Sequence, residues 1–318
     1  MALFIAKKAD DRSHKTDMNI ITWRVVWYLF SGVLVGGSLV VLAVFGLKQG
    51  IDFTGGSLLS VRFENTRPSP VDIERALAPI NLGAITIQPV GDHDVNIRTK
   101  TLEENAHQNI LLSLRRTFAT TTELQFNAIG PAIGQELRHK ALTGLVIVFL
   151  SILAFIAWSF RHVSAPVASW KYGIIVIVTA FHDVAVPVGL FVLLGIFRDV
   201  EIGTPFIAAI LTIMGYSIND TIVVMDRVRE NLQKSTGHFE EIVERSLRQT
   251  ILRSFNTSMT TTLALLAVYF FGGESIKHFA LALITGIVTG TYSSIFIAAP
   301  LLVTWNRWAS RKGTSKKR

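Results

Sequence analysis

Residues 202–225 read IGTPFIAAILTIMGYSINDTIVVM, an apolar run interrupted deep in its second half by the carboxylate Asp220. At roughly 1.5 Å per residue the run is long enough for a hydrocarbon core of about 30 Å. A carboxylate in such a segment is expensive unless it is protonated, paired or wetted, so it marks a functional position and proton movement is the expected work. The competing reading is that Asp220 simply marks the inner end of the span, since Asp226 and Arg227 follow within two turns.

The rest of the chain agrees with a lipid setting. Half of its residues are apolar, 17% are charged, and the mean hydropathy is +0.43, a balance unlike that of a soluble chain of this length. Six runs are long enough to span: 23–47, 141–160, 172–197, 202–225, 255–271 and 279–305. The first lies too far from the start and is too long for a cleaved leader, so it reads as a permanent span.

Lysine and arginine set the orientation. With the N-terminus in the cytoplasm, Lys7, Lys8, Arg12, Lys15 and Arg24 lie inside, as do Arg161 and Lys171. So do Arg227, Arg229, Lys234, Arg245, Arg248 and Arg253, followed by Arg307, Arg311, Lys312, Lys316, Lys317 and Arg318. The short outer connections carry only Arg198 and Lys277. The pI near 9.8 is then largely a topology signal, and no nucleic-acid partner is expected; the lesser alternative is a basic tail that touches anionic membrane lipid or rRNA.

The expected organisation is a cytoplasmic tail (1–22), a first span (23–47), an outer domain (48–140), spans two to six (141–305) with an inner loop at 226–254, and a basic tail (306–318). Within the outer domain, 57–64, 84–90, 94–99 and 122–128 alternate or are β-rich, and 102–118 has helical spacing. Ser69 followed by Pro70 opens another helix. That order predicts a small α+β ferredoxin-like (βαββαβ) domain, and the fold class is an α-helical polytopic membrane protein with six transmembrane helices carrying it. His93 and His107 stand alone on polar segments and read as solvated surface residues.

Several polar residues accompany Asp220. Ser217, Asp220, Thr221 and Val224 share a face by their three- and four-residue spacing, while Asn219 points elsewhere. On the next run, Arg253, Asn256 or Thr257, and Thr260 form a stripe from the cytoplasmic mouth, with Thr261 beside it; Arg253 either pairs with Asp220 or snorkels to the surface. His182-Asp183 lies near the middle of the third run, as a relay or as a structural hydrogen-bonded pair. Ala282, Gly286, Gly290 and Ser294 recur every four residues, a seam for helix packing. The inner segment 239–251 has the pattern of an amphipathic helix on the membrane surface.

The run Gly50-Ile51-Asp52-Phe53-Thr54-Gly55-Gly56, after the first span, resembles the Asp-Phe-x-Gly-Gly signature of the SecF branch of the SecD/SecF protein-export family. Gly130 to Leu137, His182-Asp183, Gly215 to Thr221, Asp226 to Asn231 and Arg253 to Thr261 are similar to that family's other motifs, in order. The resemblance implies half of a resistance-nodulation-division-type assembly in the bacterial inner membrane, completed by SecD and working with the SecYEG translocon and YajC. Its implied task is proton-motive-force-assisted late export of unfolded preproteins. It implies Asp220 as a proton-relay carboxylate, Arg253 as its cation, Asp183 as a supporting site, and Asp52, Phe53, Gly55 and Gly56 as a hinge motif.

Alternatives are a scaffold for SecD that carries no proton, half of a small-molecule exporter, and an intramembrane aspartyl protease built on Asp183 and Asp220. The last lacks the expected Gly-x-Gly-Asp setting, because Gly215 stands five residues before Asp220. No enzyme activity and no cofactor other than the proton as coupling ion is expected, since there is no phosphate-binding glycine loop, no cysteine and no histidine pair at metal-ligand spacing.

Overall fold

The structure, a computed structural model, describes residues 20–159 and 169–315. The orientation residues Lys7, Lys8, Arg12, Lys15, Arg161, Lys316, Lys317 and Arg318 lie outside the described residues. The chain divides into two compact units: one of Val40–Ser151 with Val188–Leu211, the other of Met1–Leu39, Ile152–Pro187 and Thr212–Arg318.

The first of these contains the end of helix α1 (Arg24–Phe45) and a short turn of helix α2 (Ile51–Thr54). Then come β1 (Gly56–Phe63), α3 (Pro70–Leu77), β2 (Thr86–Val90), β3 (Asp94–Thr99), α4 (Glu104–Thr117) and β4 (Thr121–Ile129). The strands form one antiparallel sheet in the order β2-β3-β1-β4. Alternation decides which face is covered. Leu59, Val61 and Phe63 of β1 and Val95 and Ile97 of β3 are buried against Ile73 and Leu77 of α3 and Ile110, Leu111 and Leu114 of α4. Arg62 and Ser60 lie between those β1 positions, and Arg62 grips Asp94 with two hydrogen bonds of 2.7 and 2.8 Å. Ser69 caps α3 by accepting from the Asp72 N–H at 3.2 Å. Gly91, at φ +55°, turns the chain between β2 and β3.

His107 departs from the surface reading. It is 5% exposed, stacked on Phe126 at 3.8 Å and flanked by Glu123 and Glu104. It shares its helix face with Ile110, Leu111 and Leu114, one turn or two away, and that face is turned to the sheet. His93 is exposed as expected.

Helix α5 (Pro131–Ser159) starts ten residues before the expected second span, through a polar turn in which Lys140 pairs with Glu136 at 2.7 Å. It is followed by α6 (Ser169–Arg198), α7 (Thr204–Lys234), α8 (Phe239–Phe271), α9 (Glu274–Ser293), a π-helical turn (Ser294–Ala298) and α10 (Ala299–Ser315). Among the described residues five helices are long and apolar enough to cross a membrane: Arg24–Phe45, Pro131–Ser159, Trp170–Arg198, Thr204–Lys234 and Ile276–Ala309. The expected span at 255–271 is not among them. It is the second half of α8, and Asn256, Thr257, Ser258 and Thr260 to Thr262 dilute its apolar character.

In the second unit the core gathers Tyr172, Ile175 and Val176 of α6, Val224, Met225 and Val228 of α7, Val243 and Leu247 of α8, and Leu302 and Val303 of α10. The apolar face of 239–251 is thus turned to protein, not to a lipid surface. Glu244, on the same segment, accepts the backbone N–H groups of Ile20 and Ile21 at 3.4 and 3.1 Å just before α1 begins. A carboxylate at a helix start satisfies donors that have no partner within the helix.

Candidate functional site

Asp220 lies on the buried face of α7. Ser217, Asp220, Thr221 and Val224 are all buried, and Asn219 is exposed, as their spacing requires. The Asp220 carboxyl is held from two other elements. Ser254 of α8 donates to Oδ1 at 2.6 Å, and Ser294, first residue of the π-helical turn, donates to Oδ2. Each hydrogen bond to a charged acceptor contributes about 1.5–3 kcal/mol, which offsets part of the cost of burying the carboxyl.

A second carboxyl is built to the same plan. Asp183 of α6 is fully buried; it accepts from Ser217 of α7 and, at 2.6 Å, from Ser293 of α9. His182 Nδ1 lies 2.8 Å from its other oxygen. Pro187 adds to the local polarity, because it has no N–H to offer the Asp183 carbonyl one turn earlier. Close helix approach makes these bonds possible. A Cβ added to Gly290 would meet the Ser217 Cβ at 3.1 Å and the Asp183 Oδ2 at 3.6 Å, and one added to Gly286 would collide with Ile213. The small-residue seam of α9 therefore lies against α7, and its last member, Ser294, serves Asp220.

The residues expected beside Asp220 on the fifth run are placed differently. Arg253, Asn256, Thr257 and Thr260 are exposed, and no ion pair joins Arg253 to Asp220 among the described residues. Thr257, Thr260 and Thr261 return their hydroxyls to carbonyls of their own helix, at 2.9–3.0 Å. The face of α8 turned inward is the neighbouring one: Ser246, Thr250, Ser254 and Ser258 are buried, and Ser258 accepts from Thr291 of α9. The signal for it was present, since those four hydroxyls recur every four residues. Ser293 had no such signal.

The Asp52 motif forms a bonded junction. Asp52 Oδ2 accepts the Thr204 N–H at 2.7 Å and the Thr204 hydroxyl at 2.8 Å, which caps the first turn of α7. A Cβ on Gly203 would stand 2.6 Å from that oxygen. Gly50 N–H donates to the Ile202 carbonyl and Ile202 N–H to that of Lys48, both at 2.8 Å. Lys48 pairs with Asp199, Arg98 of β3 with Glu201, and Gln88 of β2 reaches the Asp199 carbonyl at 3.0 Å. Burial draws the Arg98 pKa below its ordinary value, while Asp199 opposes the shift. Phe53 is buried. Gly55 (φ +73°) and Gly56 (φ +127°) leave no room for a side chain: a Cβ would lie 2.8 Å from Pro131 and from the Thr99 carbonyl respectively.

Among the described residues no group of three or more histidine, aspartate and glutamate side chains stands ready to hold a metal ion. No hydrogen bond joins the carboxyls of Asp183 and Asp220 among the described residues; each has its own pair of serines. Each of the two buried acids is thus met by hydroxyls from neighbouring elements.

Comparison with known proteins bears on both regions. The family model described as protein export membrane protein SecD/SecF, C-terminal, matches residues 109–308, and that of the SecD/SecF GG motif matches 34–66. The protein translocase subunit SecF of Thermobaculum terrenum is 43% identical over 302 residues, covering 91% of this chain and 94% of its own length. That of Synechocystis is 32% identical over 316 residues, covering 94% and 98%. The crystal structure of SecDF, a translocon-associated membrane protein from Thermus thermophilus, is similar with a TM-score of 0.80 and 32% identity. The match covers 92% of this chain and 39% of that one.

Proposed function

The chain belongs to the SecD/SecF protein-export family, and from that premise we propose that it is the SecF-type half of an accessory complex of the Sec translocon, driven by the proton motive force. It is a multi-pass membrane protein and works with a SecD partner in translocation. The distribution of lysine and arginine supports both termini in the cytoplasm and 48–140 on the outer side, and the family supports the bacterial inner membrane as the setting. The second half of α8 acts as a sixth span, and the outer domain takes the ferredoxin-like plan that its strand order suits. SecYEG, YajC and an unfolded preprotein complete the assembly.

The observation that carries this reading is the pair of buried carboxyls, each held by serines from neighbouring helices within an apolar unit. Intramembrane acids so supported are functional positions. The exposed stripe of Arg253, Asn256, Thr257 and Thr260 is too polar for lipid and is the face offered to SecD, whose approach brings Arg253 and Asp220 under one electrostatic environment. One proton crossing about 100 mV releases about 2.3 kcal/mol, a roughly fiftyfold bias on a two-state movement of helices.

The test is gradient-dependent completion of preprotein translocation in inner-membrane vesicles, with Asp220→Asn and Arg253→Met at equal abundance beside the native chain. Loss of the gradient-dependent part, with assembly intact, is the expected outcome. Unchanged export would reduce the chain to a scaffold for SecD.

A further inference from the structure

We infer that the Asp52 motif and the connection between α6 and α7 form a clamp, with Arg98 and Glu201 as its positioning residues, so that the outer domain moves with the adjoining ends of α6 and α7 as one body and does not turn at the motif. The clamp replaces the hinge that the resemblance implies for Asp52, Phe53, Gly55 and Gly56. Its consequence for export rests on the translocation reading above.

The sheet order shows why a third attachment matters. The chain enters the outer domain at Gly56, the start of β1, and leaves it at Ile129, the end of β4, and those two residues face each other in the ladder. Two chain connections side by side form an axis about which a domain can swing. An attachment on the far strands removes that freedom. In the order β2-β3-β1-β4, Arg98 stands one strand from β1 and Gln88 two strands from it, on the side away from β4. Neighbouring strands lie about 4.8 Å apart, so both grips act at a distance from the axis. Both reach the same short connection. Arg98 pairs with Glu201, and Gln88 Nε2 donates to the Arg198 and Asp199 carbonyls at 3.4 and 3.0 Å. The Arg98 and Glu201 side chains are only 25% and 17% exposed, so salt screens their attraction less than that of a surface pair.

The connection is fixed in turn to the chain that precedes the motif. Gln49 and Ile202 form a parallel bridge, through the two backbone bonds of Ile202 to Gly50 and Lys48. Lys48 pairs with Asp199 and lies 3.8 Å from Glu201, and Asp52 closes the ring on Thr204. The ring runs from β3 through Glu201 and Ile202 to Gly50, then through the motif to β1 and back to β3. Within it the glycines serve close approach. A Cβ added to Gly134 of α5 would lie 2.8 Å from the Gly55 nitrogen and 3.3 Å from the Phe53 carbonyl, and Ile51 and Phe53 are buried. A hinge residue absorbs a large change of φ and ψ. Backbones in contact from several sides have no room for one. All of these residues fall in the same compact unit.

The test uses the full chain with a cysteine-free SecD in lipid membranes. The chain has no cysteine of its own, so Arg98→Cys with Glu201→Cys can be joined by a short, reducible bis-thiosulfonate bridge. Gradient-dependent translocation of a preprotein is expected to persist with the bridge in place and to fall when it is cleaved. Loss on bridging, regained on reduction, overturns the inference, because the domain must then swing at the motif. Arg98→Glu and Glu201→Arg should each lower translocation and together restore it; singles that export like the native chain also overturn the inference. A second readout is independent of the gradient. Spin labels at Val71→Cys on α3 and Phe197→Cys at the end of α6, both exposed positions, should report one narrow distance that broadens in Arg98→Gln and in Glu201→Gln. A distribution already broad without those changes, or equally narrow with them, overturns the clamp whatever drives export. Native export that ignores the gradient, with the narrow distance and its broadening observed, upholds the clamp and overturns only the preceding reading.

Discussion

The sheet domain and the helices around Asp220 bury side chains of opposite kinds. Between the sheet and its two helices the core is mostly aliphatic and aromatic, from Leu59 and Val61 to Ile110 and Leu114; His107 is buried beside it, and the Arg62 side of its pair with Asp94 is exposed. The helical unit instead buries Asp183, Asp220, His182 and the hydroxyls of Ser217, Ser254, Ser293 and Ser294. Apolar packing alone would hold those helices as well, and replacing buried polar groups by well-packed apolar ones is often neutral or stabilising. The contrast teaches that the polar interior needs a partner for every buried group, whereas the sheet core needs only close packing.

The comparison breaks most readily in the sheet. Ile97→Ala should destabilise the outer domain by about 2–5 kcal/mol through lost burial and the cavity left behind. Hydrogen exchange of β1 and β3 amides in the full chain would show it, and export would fall only through that instability. In the helical unit, Gly286→Leu should cost about 1–3 kcal/mol by driving a side chain into Ile213. A drop in thermal stability in detergent, with gradient-dependent translocation by the assembled fraction retained, would separate packing from proton handling. The smallest effect is expected at the junction. Asp52→Ala should cost about 0.5–2 kcal/mol by uncapping α7 and should speed exchange of the Thr204 amide. If the amide stays protected, Asp52 is not the cap.

Much of the molecule was legible because its signals are local. The strands of the outer domain appear within two residues of where alternation puts them, and the Ser69-Pro70 cap sits where its chemistry requires. Asp220 was legible because a carboxylate in an apolar run is conspicuous. His107 was not: its flanking polar residues hid the fact that it shares a face with Ile110 and Leu114. On α8 the sequence drew attention to Arg253, whose side chain is exposed, whereas the hydroxyl that meets Asp220 belongs to Ser254, one residue or about 100° further round α8.

What the sequence by itself determined is the lipid setting, the family, the βαββαβ element order and the identity of the acids, since run length, alternation and motif need no knowledge of neighbours. What only the tertiary structure decided is the partner of each acid. Helix rotation about its own axis and the close approach allowed by Gly286 and Gly290 set which hydroxyl meets which carboxyl. A 3.6-residue repeat specifies a face, but which face turns inward is settled by packing against the other helices.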